Sequence, residues 1–186
     1  MNNDLMWASG NDVTGTPLAF FAELDQQVGG FGCDVAALSS NCKVANYFGP
    51  DHIESWRRDC LLIDWPADKP NWLNPPYSDP EHACKARCKK KLCEKRGHHC
   101  DTYRPGCADF IKKAAEQRQM GVETWLLLVS RTDNGWFHEF IWDRVASSWR
   151  HGVQGNFLKG RLKFEGHTDS APFPSLLVRF IPERLL

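Results

Sequence analysis

The sequence predicts an α/β protein whose sheet is mostly parallel and ends in an antiparallel hairpin. Helix-like and strand-like segments alternate through about residue 140, a pattern typical of parallel strands joined by helices. The longest apolar run, at residues 122–130, suits a central strand that is buried on both faces. Two strand-like segments, at residues 153–164 and 176–181, then follow in succession. These three observations carry the fold prediction.

Composition favours a single core. With 186 residues, 42% of them hydrophobic, the chain can bury one core and carry a small insertion. We therefore predict one domain over residues 1–186, with a Cys/His-rich insertion at residues 82–107. The sequence has no apolar run that could span a bilayer and no secretory signal at its start. We expect a soluble intracellular protein whose eight cysteines are thiols or metal ligands and not disulfides.

The first helix and strand have recognisable boundaries. Thr16 is placed to cap a helix that starts at Pro17, and two glycines at 29–30 end the apolar pattern. The next segment is a short strand that reaches Asp34 and is followed by small residues, among them Ala36. Because ligands bind at the carboxyl ends of strands in open α/β sheets, Asp34 is a candidate binding residue. An ordinary loop carboxylate fits equally well, since no G-x-G-x-x-G is present.

Three more helices complete the predicted alternation. Residues 51–62 are predicted to be helical, with Asp51 as the cap. A second helix is predicted from Asp109 to Gly121, and a third around Trp136. These helices separate the predicted strands, as the α/β interpretation requires.

A stiff loop with exposed acceptors follows a short apolar run. It reads Asn74-Pro75-Pro76-Tyr77, and each proline fixes its φ angle and lacks a backbone donor. The Asn74 side chain and the Pro75 carbonyl are therefore acceptors beside the flat ring of Tyr77. Such a loop could bind a planar ring that bears an amine, with both amine hydrogens on the acceptors. A proline turn with Tyr77 packed at its edge is the competing interpretation.

One segment is strongly basic although the chain carries a net charge of +0. Between Cys84 and Cys107, eight lysines and arginines stand against two acidic residues, which gives +6 within 24 residues. The rest of the chain therefore carries −6. We expect this segment, with Lys89, Lys90 and Lys91 at its centre, to contact the phosphates of a nucleic acid.

The basic segment also has the chemistry of a metal site. Its cysteine spacing differs from the Cys-x2-Cys of standard zinc fingers. The segment has few apolar side chains to bury, whereas a structural zinc would supply folding energy. A flexible basic loop with incidental cysteines is the alternative. The predicted ligands are three cysteines and one histidine, namely Cys84, Cys88, Cys93 and either His98 or His99, with Cys100 and Cys107 as possible replacements.

Several short motifs occur in order along most of the chain. They are Thr16-Pro17, Asp34-Val35-Ala36-Ala37, residues 59–65, Asn74-Pro75-Pro76-Tyr77, Arg131-Thr132-Asp133, residues 160–164 and residues 171–175. Each motif alone is weak, but the whole series at this spacing is specific. It resembles the small phage and prophage DNA N6-adenine methyltransferases.

The resemblance implies a Rossmann-like fold that depends on S-adenosylmethionine. Its sheet would have seven strands, mostly parallel, with an antiparallel C-terminal strand and the small Cys/His-rich insertion. S-adenosylmethionine would bind at the carboxyl edge of the sheet, with Asp59 as an alternative to Asp64 near its adenine. The implied cofactor-binding residues are Thr16, Pro17, Asp34, Ala36, Asp64 and Asn74.

The resemblance also implies methyl transfer to the N6 amine of an adenine in double-stranded DNA. The implied catalytic residues are Asn74, Pro75, Pro76 and Tyr77. The target base would be flipped out of the duplex and stacked on Tyr77. The protein would act in the cytoplasm of a bacterial host, with no membrane and no obligate protein partner. Further candidate phosphate contacts are Arg131, Lys159, Arg161 and Lys163.

Two other functions stay open at this point. One is methyl transfer to a different target: cytosine N4, RNA or a protein glutamine, whose amide would suit the same loop. The other is zinc-dependent nucleic-acid binding without catalysis. The intact loop at residues 74–77 argues against the second, and the basic segment favours a nucleic acid over a protein.

Overall fold

The computed structural model describes residues 14–86 and 88–186, so the first residues of the predicted domain and Arg87 lie outside it. Its helices are α1 (Leu18–Val28), α2 (Lys91–Arg96) and α3 (Cys107–Gln119). Its strands are β1 (Cys33–Asp34), β2 (Asn71–Leu73), β3 (Thr124–Val129), β4 (Trp142–Asp143), β5 (Ser148–Trp149), β6 (Val153–Phe157) and β7 (Ser175–Phe180). Ser55–Arg57 and Glu183–Leu185 are 3-10 turns, and Phe137–Ile141 is a π-helical turn.

The main sheet has five strands within the described residues, in the order β1-β2-β3-β7-β6. The first three strands are parallel, and β7 runs antiparallel to both β3 and β6. Strands β4 and β5 form a separate hairpin. The prediction of a seven-stranded, mostly parallel Rossmann-like sheet is therefore wrong. The antiparallel final pair of strands was predicted and is present.

The hairpin explains part of this difference. The aromatic-rich segment around Trp136 was predicted to form a helix. Only one π-helical turn forms, and the chain then reverses between Trp142 and Trp149, whose rings pack edge to face 5.3 Å apart. The carboxylate of Asp143 accepts the N–H groups of Val145 and Ala146 and thereby holds the turn. These residues are used in a local hairpin and not in a strand of the main sheet.

The segment between β1 and β2 accounts for the rest of the difference between the predicted and the observed fold. The helix predicted at residues 51–62 is absent, and only a short 3-10 turn forms there. Ile53 and Leu62 are 87% and 81% exposed, so the segment has no continuous apolar face to bury. The carboxylate of Asp59 accepts the N–H of Leu61 at 3.0 Å, a local hydrogen bond that competes with helix formation.

Apolar side chains cover the sheet on both faces. On one face, Phe110 and Ile111 of α3 belong to the same buried cluster as Leu126 and Leu128 of β3. On the other, residues of α1 pack in a cluster that includes Leu127. Strand β3 is thus buried on both sides, as its apolar run predicted. None of the helices in the described part of the chain has the length and apolarity to cross a membrane.

Helix α1 begins and ends close to the predicted boundaries. It starts after Pro17, and no side chain caps it, so the prediction of Thr16 as the cap is wrong. Thr16 is instead buried, with 1% of its surface exposed. At the other end, Gly29 and Gly30 have φ angles of 84° and 97°, and their N–H groups close the last turn.

Candidate functional site

The carboxyl ends of the three parallel strands meet at one edge of the sheet. Asp34 ends β1, Asn74 follows β2, and Arg131 comes two residues after β3. Parallel pairing forces these ends to the same side. The topology therefore places the predicted binding and catalytic segments along one edge, although the sheet is smaller than predicted.

The Asn74 amide is held between two hydrogen bonds. Its Nδ2 donates to the carbonyl oxygen of Thr14 at 2.9 Å, and its Oδ1 accepts the hydroxyl of Tyr77 at 2.8 Å. A carbonyl can only accept, so the Thr14 oxygen requires the amide NH2 on its side. Oδ1 is thereby directed toward Tyr77. Since Oδ1 has two lone pairs, it can accept a second hydrogen bond.

Tyr77 is packed among aromatic rings. Its ring lies edge-on to Phe164, with centroids 6.0 Å apart, and to Phe173, with centroids 5.5 Å apart. Burial raises the pKa of its hydroxyl well above the ordinary value, so the group is protonated and a donor at neutral pH. In this structure Tyr77 is therefore packed and hydrogen-bonded, as the competing interpretation of the loop described.

A cavity of about 600 Å³ adjoins the loop. Tyr77, Phe164 and Phe173 give it an aromatic wall, while Arg131 and residues 167–170 contribute polar groups. Its volume lies in the range of about 300–1,000 Å³ that is usual for small-molecule sites. Its lining includes Thr14 and Tyr77, the two hydrogen-bond partners of the Asn74 side chain, so a flat aromatic ligand in the cavity would lie close to the Asn74 amide.

Asp34 is a buried carboxylate with unused acceptor capacity. Its side chain is 3% exposed, and its Oδ2 accepts the N–H of Lys43 at 3.0 Å. Its Oδ1 is buried and makes no hydrogen bond to any of the described residues. Burial raises the pKa of this carboxyl to about 6, and the N–H groups of Lys43 and Ala36 partly offset that rise. Such a group suits a ligand that brings a donor or a positive charge.

The segment at residues 14–16 is hydrogen-bonded beside the predicted catalytic loop at residues 74–77. The N–H of Glu165 donates to the Gly15 carbonyl at 2.9 Å, and the Glu165 carboxylate pairs with Lys43. Asn74 contacts the same segment through Thr14. Lys43, Thr14 and Glu165 were not among the predicted site residues. A backbone carbonyl and a pair of residues distant in sequence leave no local pattern that could have revealed them.

The predicted cofactor residues fall into two groups. Thr16 and Ala36 are buried like Asp34, and Pro17 directly precedes α1. Asp64 differs from them: its side chain is exposed, and its carboxylate contacts Gln117 at 3.0 Å and Lys113 at 4.0 Å, both on α3. The contacts of Asp64 thus connect it to α3 and not to the Asp34 carboxylate.

Four side chains that could hold a metal ion converge in the insertion. They belong to Cys84, Cys88, Cys93 and His99, and their ligand atoms all lie within 4.8 Å of one another. His98, named first in the sequence prediction, is not in this group, and its Nδ1 lies 3.1 Å from the His99 carbonyl oxygen. The sequence could not separate these two adjacent histidines.

The predicted phosphate contacts are all on the surface. The three lysines at 89–91 are exposed on the insertion, and Arg131 is exposed at the cavity. Lys159, Arg161 and Lys163 are exposed in the loop that follows β6. Their exposure is compatible with DNA contact and equally with an ordinary solvated surface.

The fold and the site together define an α/β protein whose candidate ligand site lies at the carboxyl edge of its parallel strands. The chain belongs to the DNA N-6-adenine-methyltransferase (Dam) family, whose sequence model matches residues 6–178. The family predicted from the motifs is thus confirmed.

Similarity to a curated protein agrees with this family. A DNA N-6-adenine-methyltransferase of Escherichia phage T1 is 28% identical to the chain over an alignment of 170 residues, and the match covers 86% of this chain. The chain spans 57% of the length of that relative. The search of solved structures found no match.

Proposed function

We propose that this chain transfers a methyl group from S-adenosylmethionine to the N6 amine of an adenine in double-stranded DNA. Membership of the family implies S-adenosylmethionine as the methyl donor. The observation that carries the proposal is the Asn74 amide, held with Oδ1 toward Tyr77, beside the aromatic cavity. The proposed catalytic unit is one methyltransferase domain over residues 1–186, and the basic insertion at residues 82–107 is part of it.

The chemistry requires acceptors for an amine and no strong base. The lone pair of the adenine N6 nitrogen is delocalised into the ring, so the amine is a poor nucleophile. If Asn74 Oδ1 and the Pro75 carbonyl each accept one N–H, the nitrogen moves toward tetrahedral geometry and its lone pair becomes available. The methylated product is an acidic ammonium that sheds its proton readily. Positioning and electrostatic stabilisation therefore supply the rate, and a neutral amide at Asn74 suffices.

The residues around Asp34 fit the methyl donor. S-adenosylmethionine, when bound, supplies a methyl group on a positively charged sulfur. The buried Asp34 carboxylate has an acceptor oxygen without a partner among the described residues, which suits the ammonium group of the donor. Thr16, Pro17 and Ala36 are proposed to line the same site. The exposed Asp64 is proposed for the adenine end of the donor.

Donor binding should depend on pH because the pKa of Asp34 is raised to about 6. Only the ionised carboxylate attracts an ammonium group, so affinity should increase from pH 5 to pH 7 and then level off. Calorimetric titration with S-adenosylmethionine at several pH values measures this. Asp34→Asn should bind weakly at every pH, while the exposed Asp68→Asn serves as the matched control. A pH-independent wild-type affinity would contradict this use of Asp34.

The same raised pKa has the opposite consequence for stability without the donor. The folded protein holds the Asp34 proton more tightly than the unfolded chain does. The free energy of unfolding should therefore fall as pH rises from about 4 to about 6, by on the order of 2–3 kcal/mol. Urea unfolding of Asp34→Asn should lack this decrease.

The DNA partner is proposed from the cavity and the basic surface. An adenine inside a duplex cannot reach the loop, so the base must be flipped into the cavity. The insertion, through Lys89, Lys90 and Lys91, would contact phosphates, as would Arg131 at the cavity. We propose that one structural zinc ion holds the insertion in place. The remaining proposed phosphate contacts are Lys159, Arg161 and Lys163.

Methylation mapping tests the proposed function. The purified protein is incubated with duplex DNA and S-adenosylmethionine, and the DNA is digested and analysed for modified nucleosides. We expect N6-methyladenine and no N4-methylcytosine. Parallel reactions with RNA and with a glutamine-containing peptide should be unmodified. Modification of one of those targets in place of adenine would overturn the proposal.

A further inference from the structure

We infer that Cys84, Cys88, Cys93 and His99 form a zinc centre whose occupancy controls DNA binding. The inference rests on the proposed function for its DNA partner. It deepens that function by identifying the fourth ligand as His99 and by making the metal a condition for DNA binding and not for donor binding. Four observations lead to it.

The first observation is the spacing of the ligand atoms. Zinc binds thiolates at about 2.3 Å in tetrahedral geometry, which places two sulfurs about 3.8 Å apart. In the insertion, Cys84 Sγ and Cys93 Sγ are 3.4 Å apart, and Cys88 Sγ and Cys93 Sγ are 3.9 Å apart. A disulfide would need about 2.05 Å. The sulfurs are therefore spaced for a shared ion and not for a covalent bond.

The second observation is the chemistry of the donor set. Three sulfurs and one imidazole form a soft set that selects zinc over hard cations such as magnesium. The backbone N–H of Lys90 points at Cys88 Sγ, with 3.4 Å between nitrogen and sulfur. A hydrogen bond of this kind favours the thiolate, which is the form that binds metal.

The third observation is that few of the insertion's described side chains are buried. Among the described side chains of residues 82–103, the buried ones are Cys93 and Cys100. Helix α2 has six residues, and an isolated helix needs roughly 12–15 residues to be marginally stable in water. The segment therefore depends on another source of folding energy, and metal coordination provides one.

The fourth observation is that the insertion is joined rigidly to the catalytic loop. Glu81 and Arg104 exchange two backbone hydrogen bonds of 2.9 Å each, and the N–H of Cys107 donates to the carbonyl of Ser78 at 2.9 Å. Gly106 packs so closely that a Cβ there would overlap backbone atoms of residues 78–80. Because Ser78 directly follows Tyr77, the loop fixes where the insertion begins and ends.

The four proposed metal ligands lie just beyond the hydrogen-bonded pair of Glu81 and Arg104. The N–H of Cys84 donates to the Cys100 carbonyl at 2.8 Å, which extends the pairing to the first ligand. With the metal bound, the exposed lysines at 89–91 are held at a fixed position relative to the catalytic loop. Without the metal, helix α2 and the segments that carry the four ligands are no longer joined to one another. The carboxylate of Asp34 is hydrogen-bonded by Lys43, which lies outside the insertion, so donor binding should persist.

The adjacent histidines provide a matched pair of variants for the test. Wild type, His99→Ala and His98→Ala are purified from zinc-supplemented medium under reducing conditions. Zinc content is measured by elemental analysis, duplex DNA binding by fluorescence anisotropy, and S-adenosylmethionine binding by calorimetry. We expect about one zinc per chain in wild type and in His98→Ala. His99→Ala should retain zinc at least tenfold less tightly and bind DNA at least tenfold more weakly, with donor affinity within twofold of wild type.

A second measurement separates the effect of metal loss on DNA binding from any misfolding of the His99→Ala variant. Wild-type protein is stripped of metal with a chelator and then given zinc or magnesium. DNA affinity should return with zinc alone, and the unchanged donor affinity reports that the body of the protein is folded.

Two results would overturn the inference. Zinc retention by His99→Ala equal to that of wild type would exclude His99 as a ligand. Metal-free wild type that binds DNA as tightly as the zinc-loaded protein would exclude control by the metal. Failure of the proposed function would look different. Donor binding or adenine methylation would then be missing in the wild type, while the zinc content and the difference between the two histidine variants persisted.

Discussion

Asn74→Ala should reduce kcat for methyl transfer by about 10²- to 10³-fold, the loss expected when one preorganised hydrogen-bond partner of a transition state is removed. The Asn74 Oδ1 acceptor is needed mainly as the amine becomes tetrahedral, so binding of the ground state should change little. The affinities for S-adenosylmethionine and DNA should stay within a few-fold. Single-turnover rates and equilibrium binding separate these effects.

Asn74→Asp is the matched control for this variant. It keeps an acceptor toward the amine but replaces the NH2 that donates to the Thr14 carbonyl. A carboxylate oxygen facing that carbonyl is unfavourable, so the loop should be displaced and the rate should lie between those of wild type and Asn74→Ala. A larger KM with unchanged kcat in Asn74→Ala would contradict the account, because it would assign Asn74 to ground-state binding.

The loop at residues 74–77, the proposed catalytic loop, could be nominated from the sequence because two prolines restrict its geometry locally. Asn74, Pro75 and Tyr77 could be assigned as acceptors and ring without knowledge of the fold. The contact between Asn74 and Thr14 could not be predicted, since it joins residues that are 60 positions apart. The aromatic packing of Tyr77 against Phe173 is similarly nonlocal.

The fold was predictable where an apolar pattern is long. Strand β3 and helices α1 and α3 follow from continuous or periodic apolar residues. Strands β1 and β2 have two and three residues, too short for any periodicity. The sequence indicated a short strand that reaches Asp34 and an apolar run before Asn74, but only pairing with a neighbour sets where each strand begins and ends. The number of strands was carried over from the family resemblance, and the long connection between β1 and β2 folded as turns.

The insertion shows that sequence spacing can nominate a cluster of side chains but cannot identify every member of it. Spacing could nominate Cys84, Cys88 and Cys93, because coordination needs soft ligands and the segment offers little else to bury. It could not choose between His98 and His99. That choice depends on the direction of each side chain after the turn at Gly97, whose φ is 73°.

Removing the insertion should weaken DNA binding severely and leave donor binding nearly intact. The hydrogen-bonded pair of Glu81 and Arg104 marks where it can be cut, since a two-residue Asn-Gly turn joins strands at such a pair. Replacing residues 82–103 by Asn-Gly removes a net charge of +5 and keeps Gly106 and Cys107 in place.

Fluorescence anisotropy at several salt concentrations should show at least tenfold weaker DNA binding. The salt dependence should also flatten, because fewer counterions are released. Calorimetry should give an S-adenosylmethionine affinity within a few-fold of wild type.

A charge-only variant separates the lysines from the shape of the insertion. Replacing Lys89, Lys90 and Lys91 together by Gln leaves the proposed zinc ligands untouched. Each phosphate contact that is lost should lower the slope of log affinity against log salt by about 0.9. The triple variant should therefore reproduce much of the flattening while it keeps its zinc. If the deletion variant binds DNA with the wild-type affinity and salt slope, the DNA contacts lie elsewhere, and Arg131 with the basic residues after β6 would have to supply them.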